Sequence, residues 1–215
     1  MKVGTDAVVL GAWVELTGVS TILDIGAGSG VISLILAQRT AHQVHIDALE
    51  LQEADARQAA ENVARSPWPE KINVIHQSLQ ELQVSKTYDL IVSNPPYFNN
   101  SQLPPLKGRM HSRHTTTLPF NLLLERSWDL LNSHGKLAVI LPYQEGIQFV
   151  DLAKGVGFHA IKRTALYSSS AKPQERWLLE FSRHPGPCIE SSLTLLKTHL
   201  QRSEAYQELT KSLYL

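Results

Sequence analysis

One cysteine, short apolar runs and scattered histidines limit what this 215-residue chain can be. Cys188 has no second cysteine to pair with, which excludes an internal disulfide and a cysteine-rich metal site. No apolar run approaches the roughly 20 residues that span a bilayer, and the first residues lack the pattern of a signal peptide. The nine histidines show no metal-ligand spacing. We therefore expect a cytoplasmic protein that uses neither a membrane nor a metal.

Net charge is also absent, because 20 Lys and Arg residues balance 20 Asp and Glu residues. The two halves nevertheless differ. Residues 1–100 hold 6 basic and 11 acidic residues, whereas residues 101–215 hold 14 basic and 9 acidic residues. This asymmetry is a hint of a polyanionic partner on the basic half. With 43% hydrophobic and 19% charged residues, the composition is that of an ordinary globular protein.

A glycine-rich turn joins a predicted strand at 21–26 to a predicted helix at 29–39. Gly26 and Gly28 permit a tight turn and a close approach of a ligand to the backbone, because no Cβ intervenes. The helix that begins near Ser29 presents free N–H groups at the same place. The spacing from Gly26 to Gly30 is G-x-G-x-G and not the G-x-G-x-x-G of nicotinamide-binding proteins. The turn by itself is a weak indication of ligand binding.

Glu50 ends the next predicted strand, at 44–50, twenty residues beyond Gly30. A carboxylate at that strand end can accept hydrogen bonds from both ribose hydroxyls of a nucleoside. The alternative is a solvated strand end without a ligand. Because the glycine turn precedes Glu50 at this spacing, the sequence favours ligand binding.

The tetrapeptide Asn94-Pro95-Pro96-Tyr97 follows a predicted strand at 88–93. Neither proline can continue the strand, because neither has an N–H group for the ladder. The Asn94 amide and the Tyr97 ring are therefore held at the carboxyl end of the strand, where open α/β sheets bind ligands. An amide beside an aromatic ring suits a flat substrate with an amino group, such as adenine or a carboxamide. Alone, the tetrapeptide would indicate only a turn.

Strands and helices alternate along the chain. We predict strands at 21–26, 44–50, 72–76, 88–93, 136–141, 158–165 and 176–181, and helices at 7–16, 29–39, 53–65, 120–132 and 145–156. This order predicts an α/β fold with a doubly wound, mainly parallel sheet of seven strands. Because only Tyr167 to Glu175 separate the last two strands, we expect them to pair antiparallel. We expect a single domain at 1–215, with an amino-terminal segment at 1–20, a long substrate loop at 95–118 and a carboxyl-terminal extension at 186–215.

Together, the glycine turn, Glu50, the Asn94–Tyr97 turn and the terminal hairpin resemble class I S-adenosylmethionine-dependent methyltransferases, which have a Rossmann-like fold. The Asn-Pro-Pro-Tyr form is similar to that of members that methylate adenine N6, cytosine N4 or the glutamine amide nitrogen. The resemblance narrows to the bacterial tRNA1(Val) adenine-37 N6-methyltransferases and covers nearly the whole chain. The segments that carry this closer resemblance are Met1 to Asp6, Leu10 to Trp13, Ser66 to Trp68, Arg113 to Thr116 and Ser203 to Tyr206.

The resemblance implies a cofactor, a substrate and site residues. S-adenosylmethionine would be the cofactor, and the N6 amino group of an adenine in tRNA would receive the methyl group. The Asn94 side-chain oxygen and the Pro95 carbonyl would accept hydrogen bonds from that amino group, and Tyr97 would stack on the base. Cofactor contacts would come from Thr5, Asp6, Asp24, Gly26, Gly28, Gly30, Glu50, Ser78 and Asn94. Substrate contacts would come from Pro96, Tyr97, Lys107, Arg109, Arg113 and His114.

Two of these groups have a structural alternative. Thr5 and Asp6 are equally suited to cap a helix that begins at Ala7. The basic residues between 107 and 114 lie in a long loop, which is typical of lids and binding loops but is also consistent with a solvated basic segment.

The chain departs from the family at two places. Family members usually carry an aromatic- and lysine-containing segment before the run that begins at Lys2. In addition, the third strand of the superfamily often ends in an acid that contacts the adenine of the cofactor, whereas this chain has Ser78 there. A hydroxyl lacks the charge of a carboxylate. We expect cofactor binding weaker by about 1–2 kcal/mol unless another group compensates.

Two other functions remain open at this stage. A protein glutamine methyltransferase is one, because a carboxamide satisfies the same geometry. Such enzymes carry a helical domain ahead of the catalytic one, and only about twenty residues precede the first strand here. A cofactor-binding module without activity is the other, although the intact Asn94–Tyr97 turn argues against it. The sequence leaves the tRNA species and the oligomeric state open, with a monomer favoured.

Overall fold

The secondary structure follows the predicted alternation of strands and helices. A computed structural model describes residues 4–40, 43–83, 86–96, 118–198 and 201–213. Its strands are β1 (Thr21–Ile25), β2 (His45–Glu50), β3 (Ile72–His76), β4 (Tyr88–Ser93), β5 (Leu131–Pro142), β6 (His159–Ser169), β7 (Arg176–Ser182), β8 (Ile189–Thr198) and β9 (Gln201–Arg202). Its helices are α1 (Thr5–Trp13), α2 (Val31–Arg39), α3 (Glu53–Ala64), α4 (Phe120–Leu130), α5 (Tyr143–Val156) and α6 (Glu204–Thr210), followed by a 3-10 turn at Lys211–Leu213.

All of these strands form one sheet in the order β3-β2-β1-β4-β5-β7-β6-β8-β9. The strands from β3 to β5 are parallel neighbours. The strand β7 is antiparallel to both β5 and β6, so the predicted terminal hairpin is confirmed. The chain leaves β1 towards β2 on one side and later returns to place β4 on the other side. The predicted doubly wound, mainly parallel α/β class is therefore confirmed.

The predicted number of seven strands is wrong, because the described residues form nine. The segment 186–215 was predicted as an extension and contributes β8, β9 and α6. The strand β8 pairs parallel with β6, yet Leu193 is its only buried residue. A strand near the rim of a sheet is stabilised mainly by its backbone hydrogen bonds and needs no continuous apolar run. The usual sequence signal for a buried strand is therefore missing.

Two apolar layers cover the faces of the sheet. One layer packs α1, α2 and α6 against residues such as Leu90 and Val92 of β4. The other packs α4 and α5 against residues such as Ile91 of the same strand. Consecutive residues of a strand point to opposite faces, and a parallel sheet buried on both faces needs apolar residues at both. This explains the uninterrupted apolar runs in the central strands.

The helix α1 is held by residues from the last quarter of the chain. The Trp13 indole N–H donates to the Thr164 hydroxyl of β6 at 3.0 Å, and the Asp6 carboxylate forms an ion pair with Arg176 of β7 at 3.1 Å. Tyr206 of α6 is buried in the same apolar layer as Val9. Because α1 also packs against α2, it is held by a helix close to it in sequence as well as by the carboxyl-terminal elements.

Candidate active site

Three of the predicted site features, the glycine turn, Glu50 and Asn94, lie at the carboxyl edge of the parallel strands. Ile25 at the end of β1 is in register with Ser93 at the end of β4 and with Leu49, which precedes Glu50 on β2. The glycine turn, Glu50 and Asn94 therefore follow three neighbouring strands at one level. Because β2 and β4 lie on opposite sides of β1, this is the point where the winding of the sheet reverses, and such points bind ligands in open α/β folds.

The glycine turn adopts a backbone conformation that few other residues tolerate. The φ angles of Gly26, Gly28 and Gly30 are 72°, 56° and 81°, in the left-handed region that disfavours side chains. The N–H groups of Gly26 and Ala27 donate to the Leu49 carbonyl at 2.9 and 3.0 Å, which ties the turn to β2. A Cβ placed on Gly26 would meet no atom within 4 Å. Glycine is thus required by the backbone angle, while the space beside it stays open.

Glu50 is oriented towards this turn. The side chain is mostly buried, and its Oε2 accepts a hydrogen bond from the Gly28 N–H at 2.8 Å. Its Oε1 accepts one from the Gln52 N–H at 2.8 Å. A carboxylate has about four acceptor positions, so two hydrogen bonds leave room for hydroxyl donors. The observed orientation fits the predicted role of binding ribose hydroxyls.

Asp24 lies beneath the turn and is fully buried. Its Oδ2 accepts hydrogen bonds from the N–H and the hydroxyl of Ser33, at 3.1 and 2.7 Å, which anchors the first turn of α2. Its Oδ1 has no hydrogen-bond partner among the described residues. Burial raises the pKa of Asp24 to about 6, the Ser33 hydrogen bonds oppose this rise, and the charge of Glu50 adds to it. With no exposed surface, Asp24 supports the turn from below.

Asn94 and Pro95 directly follow the anchored end of β4. The Ser93 hydroxyl donates to the Ile25 carbonyl at 2.8 Å, which fixes this end of β4 to β1. Beyond it, Asn94 is half-buried, Pro95 is buried and Pro96 is exposed. The predicted positions Tyr97, Lys107, Arg109, Arg113 and His114 lie outside the described residues, so their roles stay predictions.

The turn after β3 contains an acid that the sequence analysis missed. The Ser78 hydroxyl donates to the Glu81 carboxylate at 2.8 Å, and the Glu81 N–H points back to the Ser78 oxygen at 3.3 Å. A serine followed three residues later by glutamate is the sequence pattern of a capping box, but here both hydrogen bonds use the Ser78 hydroxyl, and residues 79–81 form a turn and not a helix. The pair therefore places a carboxylate in the turn that follows β3. The signal was present in the sequence as Ser78 and Glu81 at this spacing.

Leu51 is a second residue that was missed. It directly follows Glu50, and 45% of it is exposed. An exposed leucine next to a buried acid at a ligand-binding edge offers an apolar surface to a flat ring. The sequence signal was an apolar residue one position beyond the strand-terminal acid.

Thr5 and Asp6 form the first turn of α1 and do not cap it. The helix begins at Thr5 with Gly4 at the N-cap position, so the capping alternative is wrong. Both residues line a cavity of about 420 Å³ together with Arg176, Arg202 and residues of β6 and β8. Because Arg176 pairs with Pro142 at the end of β5, this cavity opens at the same edge of the sheet, on the side of the hairpin. The structure thus places Thr5 and Asp6 beside β7.

The residues that the structure describes contain no cluster of three or more histidine, cysteine or acidic side chains able to hold a metal ion. They also contain no helix of the length and apolarity that crossing a membrane requires.

A family model described as the methyltransferase small domain matches residues 7–167. The chain belongs to this methyltransferase family. Among curated methyltransferase relatives, one from Escherichia coli O157:H7 is 43% identical over 217 residues, which cover 100% of this chain and 89% of that protein. One from Tolumonas auensis is 44% identical over 215 residues, or 100% and 90% of the two chains. Both are named tRNA1(Val) (adenine(37)-N6)-methyltransferase, and the resemblance found in the sequence is confirmed.

Solved methyltransferase structures share the fold of this chain. A "predicted O-methyltransferase" from Agrobacterium tumefaciens matches with a TM-score of 0.76 at 17% identity, covering 97% of this chain and 96% of that one. A TehB-like S-adenosylmethionine-dependent methyltransferase from Corynebacterium glutamicum matches with a TM-score of 0.55 at 18% identity, covering 85% and 89%. At these identities the likeness concerns the fold alone.

Proposed function

We propose that this methyltransferase transfers a methyl group from S-adenosylmethionine to the N6 amino group of an adenine in tRNA, adenine-37 of tRNA1(Val). The observation that carries the proposal is the position of Asn94 and Pro95, at the end of β4 beside the glycine turn and Glu50. The names of relatives that align with the full chain at 43–44% identity give the proposal its substrate. A tRNA substrate would place the enzyme in the cytoplasm.

The residues at the edge fit the cofactor. The space beside Gly26 is open, Glu50 keeps acceptor positions for hydroxyl groups, and Leu51 exposes an apolar surface. The Ser78 and Glu81 pair supplies an acceptor for the amino group of an adenine ring, and so offers the compensation that Ser78 alone lacks. We propose that these groups hold S-adenosylmethionine, with Gly28 and Asn94 lining the same site. Asp24 and Gly30, which is buried against Ala59, would support it.

The main task of the protein is to position the adenine amino group next to the methyl group of the cofactor. The bound cofactor supplies a methyl carbon that its sulfonium charge has already activated. The amino nitrogen of adenine is a poor nucleophile, because its lone pair is delocalised into the ring. Hydrogen bonds from its two N–H groups to the Asn94 side-chain oxygen and the Pro95 carbonyl would favour a pyramidal nitrogen, whose lone pair is less delocalised and more nucleophilic. The same two oxygens stabilise the positive charge that develops on the nitrogen.

The rigid setting of Asn94 and Pro95 supports this role. The Ser93 hydroxyl fixes the preceding residue to β1, and the ring of Pro95 restricts its own φ angle. The two acceptor oxygens therefore need little reorganisation when the substrate binds, which is how preorganised dipoles lower a barrier.

The test uses labelled S-adenosylmethionine, the purified protein and total tRNA that lacks the modification, followed by nucleoside mass spectrometry. We expect labelled N6-methyladenosine in tRNA. Asn94→Ala should lower kcat by about 10²–10³-fold, a far larger change than in the Kd for the cofactor. As a matched control, Asn73→Ala removes an exposed asparagine of β3 that donates to Asp47 and is remote from the edge.

Each departure from these results has a clear meaning. Label in a protein fraction and not in tRNA would replace the proposal with glutamine methylation. Cofactor binding without transfer to either pool would leave a binding module. Full turnover by Asn94→Ala would refute the role given to Asn94.

A further inference from the structure

Tyr143 places an exposed aromatic ring at the carboxyl edge of the sheet, on the strand next to the one that ends at Asn94. It begins α5 and directly follows Pro142, the last residue of β5. The residue is 38% exposed. In the described ranges, five large apolar residues are exposed by more than a third, and two of them, Leu51 and Tyr143, directly follow strands that flank the site.

The Tyr143 ring is fixed by its packing. It lies against the Trp177 ring in an offset stack, with centroids 6.3 Å apart and planes 20° apart. Gly146, one helical turn along α5, comes so close to Trp177 that an added Cβ would be 2.7 Å from the indole ring. The Arg163 guanidinium lies 4.9 Å from the Trp177 ring centroid. A ring held in this way loses little conformational entropy when a partner stacks on it.

The position of Tyr143 suits a neighbour of the target adenine. Ser93 of β4 is in register with Val139 of β5, so Asn94 lies level with Ile140 and Tyr143 lies three residues further along. With strands 4.8 Å apart and a rise of 3.3 Å per residue, the Cα atoms of Asn94 and Tyr143 are roughly 11 Å apart. A tyrosine ring reaches about half of this distance, so the Tyr143 ring lies about one nucleotide away from Asn94.

An adenine whose amino group is to be methylated must lie outside a base pair, since pairing engages that group. The bases on either side of it then belong to a single-stranded stretch and have faces open to stacking. Aromatic side chains bind such bases largely irrespective of their identity. We propose that Tyr143 stacks on an unpaired base of the tRNA that flanks the target adenine; this inference rests on the proposed function.

The experiment compares three substitutions at Tyr143 with one elsewhere on α5. Tyr143→Ala removes the ring, Tyr143→Phe keeps it, and Tyr143→Leu covers Trp177 without an aromatic face. Leu152→Ala is the matched control, because Leu152 is 39% exposed on the same helix but lies more than two turns from the edge. The readouts are the Kd for unmodified tRNA in the presence of S-adenosylhomocysteine, the KM for tRNA, kcat, and the thermal midpoint of unfolding.

We expect Tyr143→Ala and Tyr143→Leu to raise the Kd and KM for tRNA at least about fivefold. We expect kcat and cofactor affinity to stay unchanged. Tyr143→Phe and Leu152→Ala should stay within about twofold of the parent protein. Equal tRNA affinity in Tyr143→Ala and the parent protein overturns the inference, and so does a loss in Tyr143→Phe that matches the loss in Tyr143→Ala.

The inference and the proposed function fail in different ways. If the parent protein methylates tRNA and Tyr143→Ala binds tRNA equally well, only the role of Tyr143 is refuted. If the parent protein binds tRNA without methylating it and Tyr143→Ala binds it less well, the stacking contact stands and the proposed activity falls. A parent protein that neither binds nor methylates tRNA overturns both.

Discussion

Replacing Asp24 with asparagine tests how the buried carboxylate beneath the glycine turn sets the dependence of stability on pH. Burial raises the pKa of Asp24 from 3.8 in the unfolded chain to about 6 in the folded protein. Between these values the folded state binds the proton more tightly than the unfolded state. The free energy of unfolding that Asp24 contributes is therefore fully present below pH 3.8 and is lost as pH rises through 6.

The size of the effect follows from the same two pKa values. The difference between the two pKa values corresponds to about 3 kcal/mol in the free energy of unfolding. About 2 kcal/mol of this stabilisation is lost between pH 4.5 and pH 7. Asparagine can still accept the hydrogen bonds from Ser33, but it does not titrate. Its amide hydrogens would replace an oxygen atom that has no partner in the described structure. The substitution should therefore lower the free energy of unfolding at low pH by about 1–3 kcal/mol.

The assay is urea unfolding of the parent protein and Asp24→Asn, followed by circular dichroism from pH 4.5 to 7 at constant ionic strength. We expect the variant to be the less stable protein at pH 4.5 and to recover by about 2 kcal/mol relative to the parent at pH 7. Comparing the two proteins cancels the titration of every other group that is unaffected by the substitution. Parallel stability curves would refute the argument that Asp24 is buried with a raised pKa.

Three further substitutions test the proposed cofactor contacts of Glu50 and Glu81 and the buried hydrogen bond between Tyr88 and Asp47. Glu50→Gln should raise the Kd for S-adenosylmethionine at least about tenfold, since a hydrogen bond to a charged group is worth about 1.5–3 kcal/mol; calorimetry that gives equal affinities would remove Glu50 from the site. Glu81→Gln should weaken the same binding by about threefold to tenfold, while an unchanged Kd would show that the carboxylate beside Ser78 does not contact the cofactor. Tyr88→Phe removes the 2.6 Å hydrogen bond to the buried carboxylate of Asp47 and should lower the free energy of unfolding by about 1.5–3 kcal/mol at pH 7; equal midpoints in urea would show that the remaining partners of Asp47 suffice.

We could predict that the glycine turn, Glu50 and Asn94 lie close together, because each lies at the end of an apolar strand. Strand ends are visible in the sequence, and parallel strands bring their carboxyl ends to one edge. No knowledge of distant contacts was needed. The same reasoning gave the antiparallel pairing of β6 and β7, because the short connection between them leaves no room for a crossover.

Other features depend on contacts that local patterns do not reveal. The placement of Thr5 and Asp6 depends on Arg176, which is 170 residues away from Asp6 in sequence. The strand β8 depends on the backbone of β6 and has only one buried side chain. The spacing of Ser78 and Glu81 was visible in the sequence, but whether Glu81 can reach a ligand depends on where the turn after β3 lies relative to Glu50.

The attachment of α1 has a consequence for how the chain folds. Although α1 also packs against α2, its partners Thr164, Arg176 and Tyr206 are separated from it by more than 150 residues. Contacts of such separation are expected to form late, because they close the longest loops. We expect a transient species with the central strands in place and α1 still undocked. Pulse-labelled hydrogen exchange during refolding would show it as late protection of the α1 amides, and protection as early as that of β1 and β4 would contradict it. In that species the glycine turn would exist before the cavity that Thr5 and Asp6 line, so the two sides of the carboxyl edge would form in separate kinetic stages.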